Sequence, residues 1–255
     1  MFGLQNVRGS CWVNAALQGL FACPTLRKRF ITNDVDTQNP VEVCLEALWR
    51  TKGTSGMKEL FECIKTNYMP AGFDVGDSHE LIVYLCDKLP WLDEAFRFKM
   101  ANQITCNKCK TQTLIEDSVI EIAVTPSVTN MPILNTIQEF VKPKPIPVWN
   151  CEKCGENTGC TSQDLFGSFP KILMIHRKSR GTSMEYSSVL VLNAKKYILF
   201  AVVCHNGGHW WTYARHLPPG NAWYELNDTH VREMTSTQFP VASNMRILLY
   251  FLNEN

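Results

Sequence analysis

The sequence predicts an α+β fold in three parts: a helical N-terminal third, a β-rich insertion carrying paired cysteines, and a β-rich C-terminal part. Three observations predict it. Apolar residues recur at helical spacing over 11–22, 41–50, 57–67 and 77–89. Two Cys-x-x-Cys pairs, Cys106/Cys109 and Cys151/Cys154, punctuate the middle of the chain. From about residue 160 onward the chain alternates and is rich in Val, Ile, Tyr, Phe and Trp.

The first helix carries Val13, Ala16, Leu17, Leu20 and Phe21 on one face, with Ser10 as its expected N-cap. Pro24 and the basic run Arg27-Lys28-Arg29 follow a break. Helices over 41–50 and 57–67 are separated by the polar stretch 51–56. The helix over 77–89 places Leu81, Leu85 and Leu89 on one side, and Pro90 is read as its end. Strands over 96–105 and 113–124 flank the first cysteine pair. A short helix at about 134–141 precedes Pro143, Pro145 and Pro147, which read as a local spacer. Strands are then predicted over 171–177, 184–192, 196–204, 209–215, 222–227 and 245–252.

At 255 residues with 45% hydrophobic and 19% charged residues, the composition is that of an ordinary globular chain. A formal net charge of +1 gives no strong field toward nucleic acid or an acidic membrane surface. Neither a run of about 18 apolar residues nor a signal peptide is visible. The 11 cysteines are an odd, scattered set, a poor disulfide framework that favours a reducing compartment, cytoplasmic or nuclear. Cys23, Cys44, Cys63, Cys86 and Cys204 read as small buried hydrophobes.

Cys11 opens the first helix. The positive end of a helix dipole stabilises a thiolate there, and the free N–H groups of the same turn suit a developing oxyanion. Asn6, in the preceding loop, offers a further amide donor. On these local features a buried structural cysteine is the more ordinary reading. A nucleophilic cysteine needs a base and a group that fixes the base's tautomer. His209 follows Gly207-Gly208 at a strand start, and pairing of 209–215 with 222–227 through a turn at 217–221 brings it opposite Asn227 and Asp228. A plain hairpin with an exposed histidine has the same pattern. His205 is the rival base; His79 reads as a surface or capping residue, His216 and His230 sit in polar turns, and His176 ends an apolar strand.

The four cysteines of the two pairs suit a closed tetrahedral metal site with Zn2+ as the expected ion, structural because no position remains open. The long separation, residues 110–150, implies a clamp between two hairpins. Cys160 lies close in sequence without fitting the pair spacing.

Taken in order, these segments resemble the ubiquitin-specific protease family. GLQNVRGSCWVNAALQ (residues 3–18) is similar to its cysteine box, and GDSHEL (76–81) to its QDAxEF helix. FPKILMIHR (169–177) resembles the strand ending in LxRF, YILFAVVCHNGGHW (197–210) the histidine box, and WYELND (223–228) with Val231 the WxxFNDxxV ending. The resemblance implies a papain-like fold with a helical thumb at about 1–92, zinc-bearing fingers at about 96–170 and a palm at about 171–255. It implies Cys11 as nucleophile, Asn6 as oxyanion donor and His209 as base. It also implies Asn227 as the group orienting His209 with Asp228 assisting or replacing it, and Asp77 as a holder of the ubiquitin tail. The partners it implies are ubiquitin or ubiquitin-like conjugates met by a monomeric catalytic domain, without nucleic acid or membrane. Arg8-Gly9-Ser10 replaces Gly-x-Thr, His176-Arg177-Lys178 replaces Lys-Arg-Phe, and Trp210 replaces Tyr. These departures leave open a protease for another ubiquitin-like modifier or polyprotein site, or an inactive ubiquitin-binding module. The short lead before Cys11 fits a catalytic domain of a larger, divergent or viral protein.

Overall fold

Pro24, Pro40 and Pro90 each start a helix. Proline has no N–H to satisfy in the first turn, and its fixed φ suits that position. The computed structural model describes residues 1–68, 76–179, 181–217, 222–235 and 243–254. Its N-terminal helices are α1 (Cys11–Phe21), α2 (Pro24–Ile31), α3 (Pro40–Arg50), α4 (Met57–Tyr68), α5 (Ser78–Lys88) and α6 (Pro90–Phe96). The sequence reading lacked α2 and α6 because it took Pro24 and Pro90 as breaks only. Ser10 does not cap α1: its Oγ turns back to accept from the Val7 N–H at 2.8 Å. No described helix is long and apolar enough to cross a membrane.

The chain then forms β1 (Phe98–Cys106), β2 (Gln112–Val119), β3 (Glu121–Val124), β4 (Met131–Pro132), α7 (Ile133–Phe140), β5 (Lys144–Ile146) and β6 (Cys160–Phe166). It continues through β7 (Ile172–Arg177), β8 (Met184–Glu185), β9 (Val189–Leu192), β10 (Lys195–His205), β11 (Trp210–Ala214), β12 (Tyr224–Asn227), β13 (His230–Glu233) and β14 (Met245–Asn253). A small sheet has the order β2-β1-β6-β5; a large one runs β13-β12-β11-β10-β14-β7-β3, with β9 on β10. Strands β4 and β8 form a separate parallel pair. The proline-rich stretch read as a spacer is the edge strand β5, where Pro145 needs no ladder N–H. Strand β3 lies in the large sheet, so the residues 96–170 do not form one continuous insertion. The predicted turn at 217–221 falls, beyond Leu217, outside the described residues.

The central strands are buried on both faces, which is why they read as unbroken apolar runs. In β14, Ile247 and Leu249 join the core that contains α1, while Leu248 and Tyr250 join the opposite core with Ile133 and Ile137 of α7. Helix α1 is the innermost element: every residue from Cys11 to Phe21 is buried. Gly19 faces the sheet, where a Cβ would stand at ordinary contact distance from Ala201 (3.5 Å) and Leu249 (3.7 Å). Thr212 of β11 fastens the two by donating its hydroxyl to the Ala15 carbonyl at 2.7 Å. The start of α1 is thereby set against the hairpin β11–β12.

Candidate active site

Cys11 heads α1 and is 8% exposed, with its Sγ 3.8 Å from the Gly9 carbonyl. Arg8 (φ 50°) and Gly9 (φ 80°) both take the left-handed conformation, the tight entry by which the loop turns into the helix. His209 precedes β11, and its Nε2 lies 2.7 Å from Asn227 Oδ1 at the end of β12. An amide oxygen only accepts, so Nε2 carries the hydrogen and Nδ1 is the basic nitrogen. The rival His205 instead stacks on Trp210, centroids 4.2 Å apart.

Asp228 makes a different set of contacts. It sits at φ 52° in the two-residue turn between β12 and β13, a conformation that a short acidic side chain tolerates. Its Oδ2 accepts from Asn6 Nδ2 at 2.8 Å and its Oδ1 from Asn14 Nδ2 at 2.7 Å. Its carbonyl accepts from the Leu4 N–H at 2.8 Å and from Gln18 Nε2 at 2.9 Å. Asn227 thus meets the histidine, and Asp228 ties the N-terminal loop and α1 to the turn. Gly3 makes this closeness possible, because a Cβ there would stand 2.4 Å from the Thr229 carbonyl oxygen. Asp77 is the N-cap of α5, its Oδ1 accepting from the His79 N–H at 2.7 Å.

His79 is not the surface residue its sequence context implied. Its Nε2 lies 2.6 Å from Glu121 Oε2, while His176 stacks on its ring at 3.8 Å with Nδ1 3.5 Å from the same oxygen. Burial alone would raise the Glu121 carboxyl, but the two imidazoles outweigh it and hold the group down to about 2. A metal ion would need both lone pairs to meet at one point about 2 Å from each nitrogen. Near-parallel stacked rings, 20° apart, aim them in separate planes.

The sulfurs of Cys106, Cys109, Cys151 and Cys154 lie within 4.8 Å of one another, with Cys106–Cys154 at 3.9 Å and Cys109–Cys151 at 3.7 Å. Zn–S bonds of about 2.3 Å in a tetrahedron require sulfurs roughly 3.8 Å apart, so the donor set fits that ion. The two pairs are built alike. Lys110 (φ 59°) and Gly155 (φ 68°) each follow the second cysteine in a left-handed conformation. Their N–H groups bond back to the Cys106 and Cys151 carbonyls at 3.1 and 2.8 Å. Thr111 holds the Cys109 thiol down to about 6. Cys160 pairs across from Cys106 in the sheet and is not among the clustered sulfurs. Elsewhere, burial pushes the thiols of Cys23 and Cys86 up, to about 11 and about 12, as expected of packing residues.

The family model of the ubiquitin carboxyl-terminal hydrolases matches residues 2–250. The chain belongs to that family. It is 21% identical to the probable ubiquitin carboxyl-terminal hydrolase 8 of Schizosaccharomyces pombe over 296 residues, covering 98% of this chain and 64% of the relative. It is 21% identical to ubiquitin carboxyl-terminal hydrolase 25 of Arabidopsis thaliana over 319 residues, covering 99% of this chain and 47% of the relative. The chain therefore spans less than two thirds of the length of either. A chain of the solved SAGA DUB module Ubp8/Sgf11/Sus1/Sgf73 bound to monoubiquitin has the same fold. The TM-score is 0.84 at 17% identity, over 100% of this chain and 69% of that one. This is the ubiquitin-specific protease fold that the sequence motifs implied.

Within this member of the hydrolase family, two site residues were absent from the sequence reading. Asn14 and Gln18 are polar yet 0% and 2% exposed, three and seven positions after Cys11 on α1. Their spacing in an otherwise apolar helix was the available signal, since buried amides require partners. The nitrogens of both find theirs at Asp228.

Proposed function

We propose that the chain is a thiol-dependent deubiquitinase that cuts the isopeptide or peptide bond after the C-terminal glycine of ubiquitin. The observation that carries this reading is the His209–Asn227 pairing, in a chain that matches the hydrolase family over residues 2–250. With Nε2–H given to Asn227, His209 Nδ1 takes the Cys11 proton. The thiolate attacks the glycine carbonyl, and the C–N bond breaks as His209 returns the proton to the leaving lysine amine. Water, activated by the same nitrogen, hydrolyses the thioester and restores the thiol. The N–H groups of the first turn of α1 and the second Nδ2 hydrogen of Asn6 stabilise the oxyanion. Asp228 takes the first Asn6 hydrogen and so aims the amide. Asp77 caps α5 through Oδ1, and its other oxygen serves the incoming tail.

The four clustered cysteines hold a structural Zn2+, which ties the far end of the small sheet. Reduced thiolates at that site and at Cys11 require a reducing compartment, cytoplasmic or nuclear. Ubiquitin is the partner favoured by the likeness to a fold solved with monoubiquitin bound. The chain acts as a monomeric catalytic domain.

The test is hydrolysis of a fluorogenic ubiquitin C-terminal amide. Cys11→Ala and Cys11→Ser are expected to lose roughly 10³-fold or more with fold and zinc content retained; full activity in either variant sinks the proposal. Electrophilic probes built on ubiquitin and on other ubiquitin-like modifiers, applied to the unaltered chain, test the alternative specificity opened by Arg8, Ser10 and Trp210.

A further inference from the structure

Trp12 follows Cys11 on α1, Gly76 precedes Asp77 at the start of α5, and the two pack against each other. We infer that Gly76 and Trp12 are a pair of positioning residues: their contact sets Asp77 against Cys11 and so governs how tightly the ubiquitin tail is held. The inference rests on the reading of Asp77 as a holder of that tail.

Space is the first argument. A Cβ on Gly76 would stand 3.0 Å from each of Cζ2, Cη2 and Cζ3 of the Trp12 indole. That is well inside the roughly 3.5–4.0 Å at which carbon atoms pack. The QDAxEF motif has glutamine at this place; here the indole takes the room beyond the Cα. All three atoms belong to the benzo ring, which reaches beyond where a phenylalanine ring would end.

The second argument is where the contact lies. Asp77 sits between two residues that both meet Trp12. Gly76 is on one side; on the other, Ser78 Oγ donates to the Trp12 carbonyl at 2.7 Å. Ser78 and Trp12 are both 0% exposed, so that bond is closed to water. Asp77 spends Oδ1 on the cap of α5, and the aim of its other oxygen follows the segment that carries it.

The third is which side yields. Helix α1 is buried along its whole length, whereas Gly76 and Asp77 are half-buried. A side chain at 76 therefore displaces Asp77 and leaves Cys11 where it is. Binding of the tail suffers, and the chemistry at the thiol does not.

The test measures kcat and KM for a fluorogenic ubiquitin C-terminal amide in the unaltered chain, Gly76→Ala, Trp12→Phe and the double variant. Gly76→Ala is expected to raise KM about tenfold with kcat within about twofold, as for binding lost equally from ground and transition states. Trp12→Phe opens a gap at the same place and is expected to raise KM about threefold. The new methyl fills that gap, so the double variant should have a lower KM than either single variant. Loss of fold alone lowers the active fraction, and with it kcat, and leaves KM unmoved. Unchanged KM in both single variants overturns the inference, as does a double variant in which the two effects simply multiply. If Gly76→Ala does not fold, the comparison of Trp12→Phe with the double variant still decides. Should the unaltered chain cleave nothing, the proposed function fails and not the contact. Amide exchange at His79, whose N–H bonds to Asp77 Oδ1, then reads the contact. Faster exchange in Gly76→Ala, restored in the double variant, supports it; equal exchange in all four proteins overturns it.

Discussion

Asn14 Nδ2 donates to Asp228 Oδ1 at 2.7 Å, a bond that joins the helix headed by Cys11 to the turn after β12. One residue earlier, Asn227 gives its oxygen to His209 at the same separation, 2.7 Å. Asn227 ends β12 with extended backbone, whereas Asp228 turns into the left-handed region at φ 52°, which sends its side chain another way. Adjacent residues therefore divide the contacts: Asn227 meets His209, and Asp228 holds α1 and the Asn6 amide.

That division separates activity from stability. Asn227→Ala is expected to lower kcat roughly 10–100-fold, the scale of a misoriented general base, with the melting temperature nearly unchanged. Asp228→Ala removes the acceptor of Asn6 and leaves Asn14 only its longer bonds to the Leu4 and Gln5 carbonyls; it is expected to destabilise by about 1–3 kcal/mol, with activity falling alongside. Paired kinetics and denaturation curves decide it; a stable, slow Asp228→Ala beside an unfolded Asn227→Ala reverses the assignment.

Gly3 is the residue that admits the chain beside Thr229. A methyl group 2.4 Å from that carbonyl oxygen forces the N-terminal segment away from the turn. Gly3→Ala is expected to cost about 1–3 kcal/mol through overpacking and to weaken the Leu4–Asp228 bond. Urea denaturation measures the first effect. Faster amide exchange at Leu4 reports the second, and unchanged exchange there refutes it.

Loss of the proposed zinc should act locally. Cys151→Ser, or prolonged chelation, is expected to release zinc and open the small sheet to proteolysis over 107–159, because the clamp closes the ends of β1 and β6. The large sheet has its own two cores and should keep its near-ultraviolet signature. Metal analysis and limited digestion test this, and global unfolding on chelation contradicts it.

The Glu121 clamp gives a dependence on acid. Its carboxyl is held down to about 2 in the fold against an ordinary 4.5. A depressed carboxyl stabilises the fold fully above the higher value and ceases to do so as pH falls through the lower one. The contribution, about 2–3 kcal/mol, should fade from about pH 5 to pH 2. Glu121→Gln is expected to unfold more readily at pH 6, with the difference from the unaltered protein vanishing near pH 2. A difference that stays constant over that range excludes the clamp.

What was legible in the sequence was what short-range pattern encodes. The periodicity of α1, α3, α4 and α5, the buried runs of β7, β10 and β14, and the spacing of the four cysteines all announce themselves locally. Helices α2 and α6 did not, because proline at a first turn looks the same as proline at a stop. The motifs placed Asn227 and Asp228 beside the histidine but left their roles undivided, since a one-residue shift in register exchanges them. The partners of Asn14 and Gln18 lie 214 and 210 residues away. The clamp of His79, Glu121 and His176 joins three distant segments in the same way. Tertiary contact alone reveals such pairs.

The complete burial of α1 limits how this protein can change. A cysteine on a surface loop can drift in position, whereas Cys11 rides on a helix buried along its whole length and is fixed by the packing of the core. Selection has its freedom at the rim instead: at exposed Arg8 and at the Gly207-Gly208 loop. The departure from the family's motifs at Arg8 lies on that rim, whereas those at Ser10 and Trp210, 0% and 4% exposed, are packed inside. Heat inactivation follows from the same burial: the position of Cys11 should hold until the core itself melts.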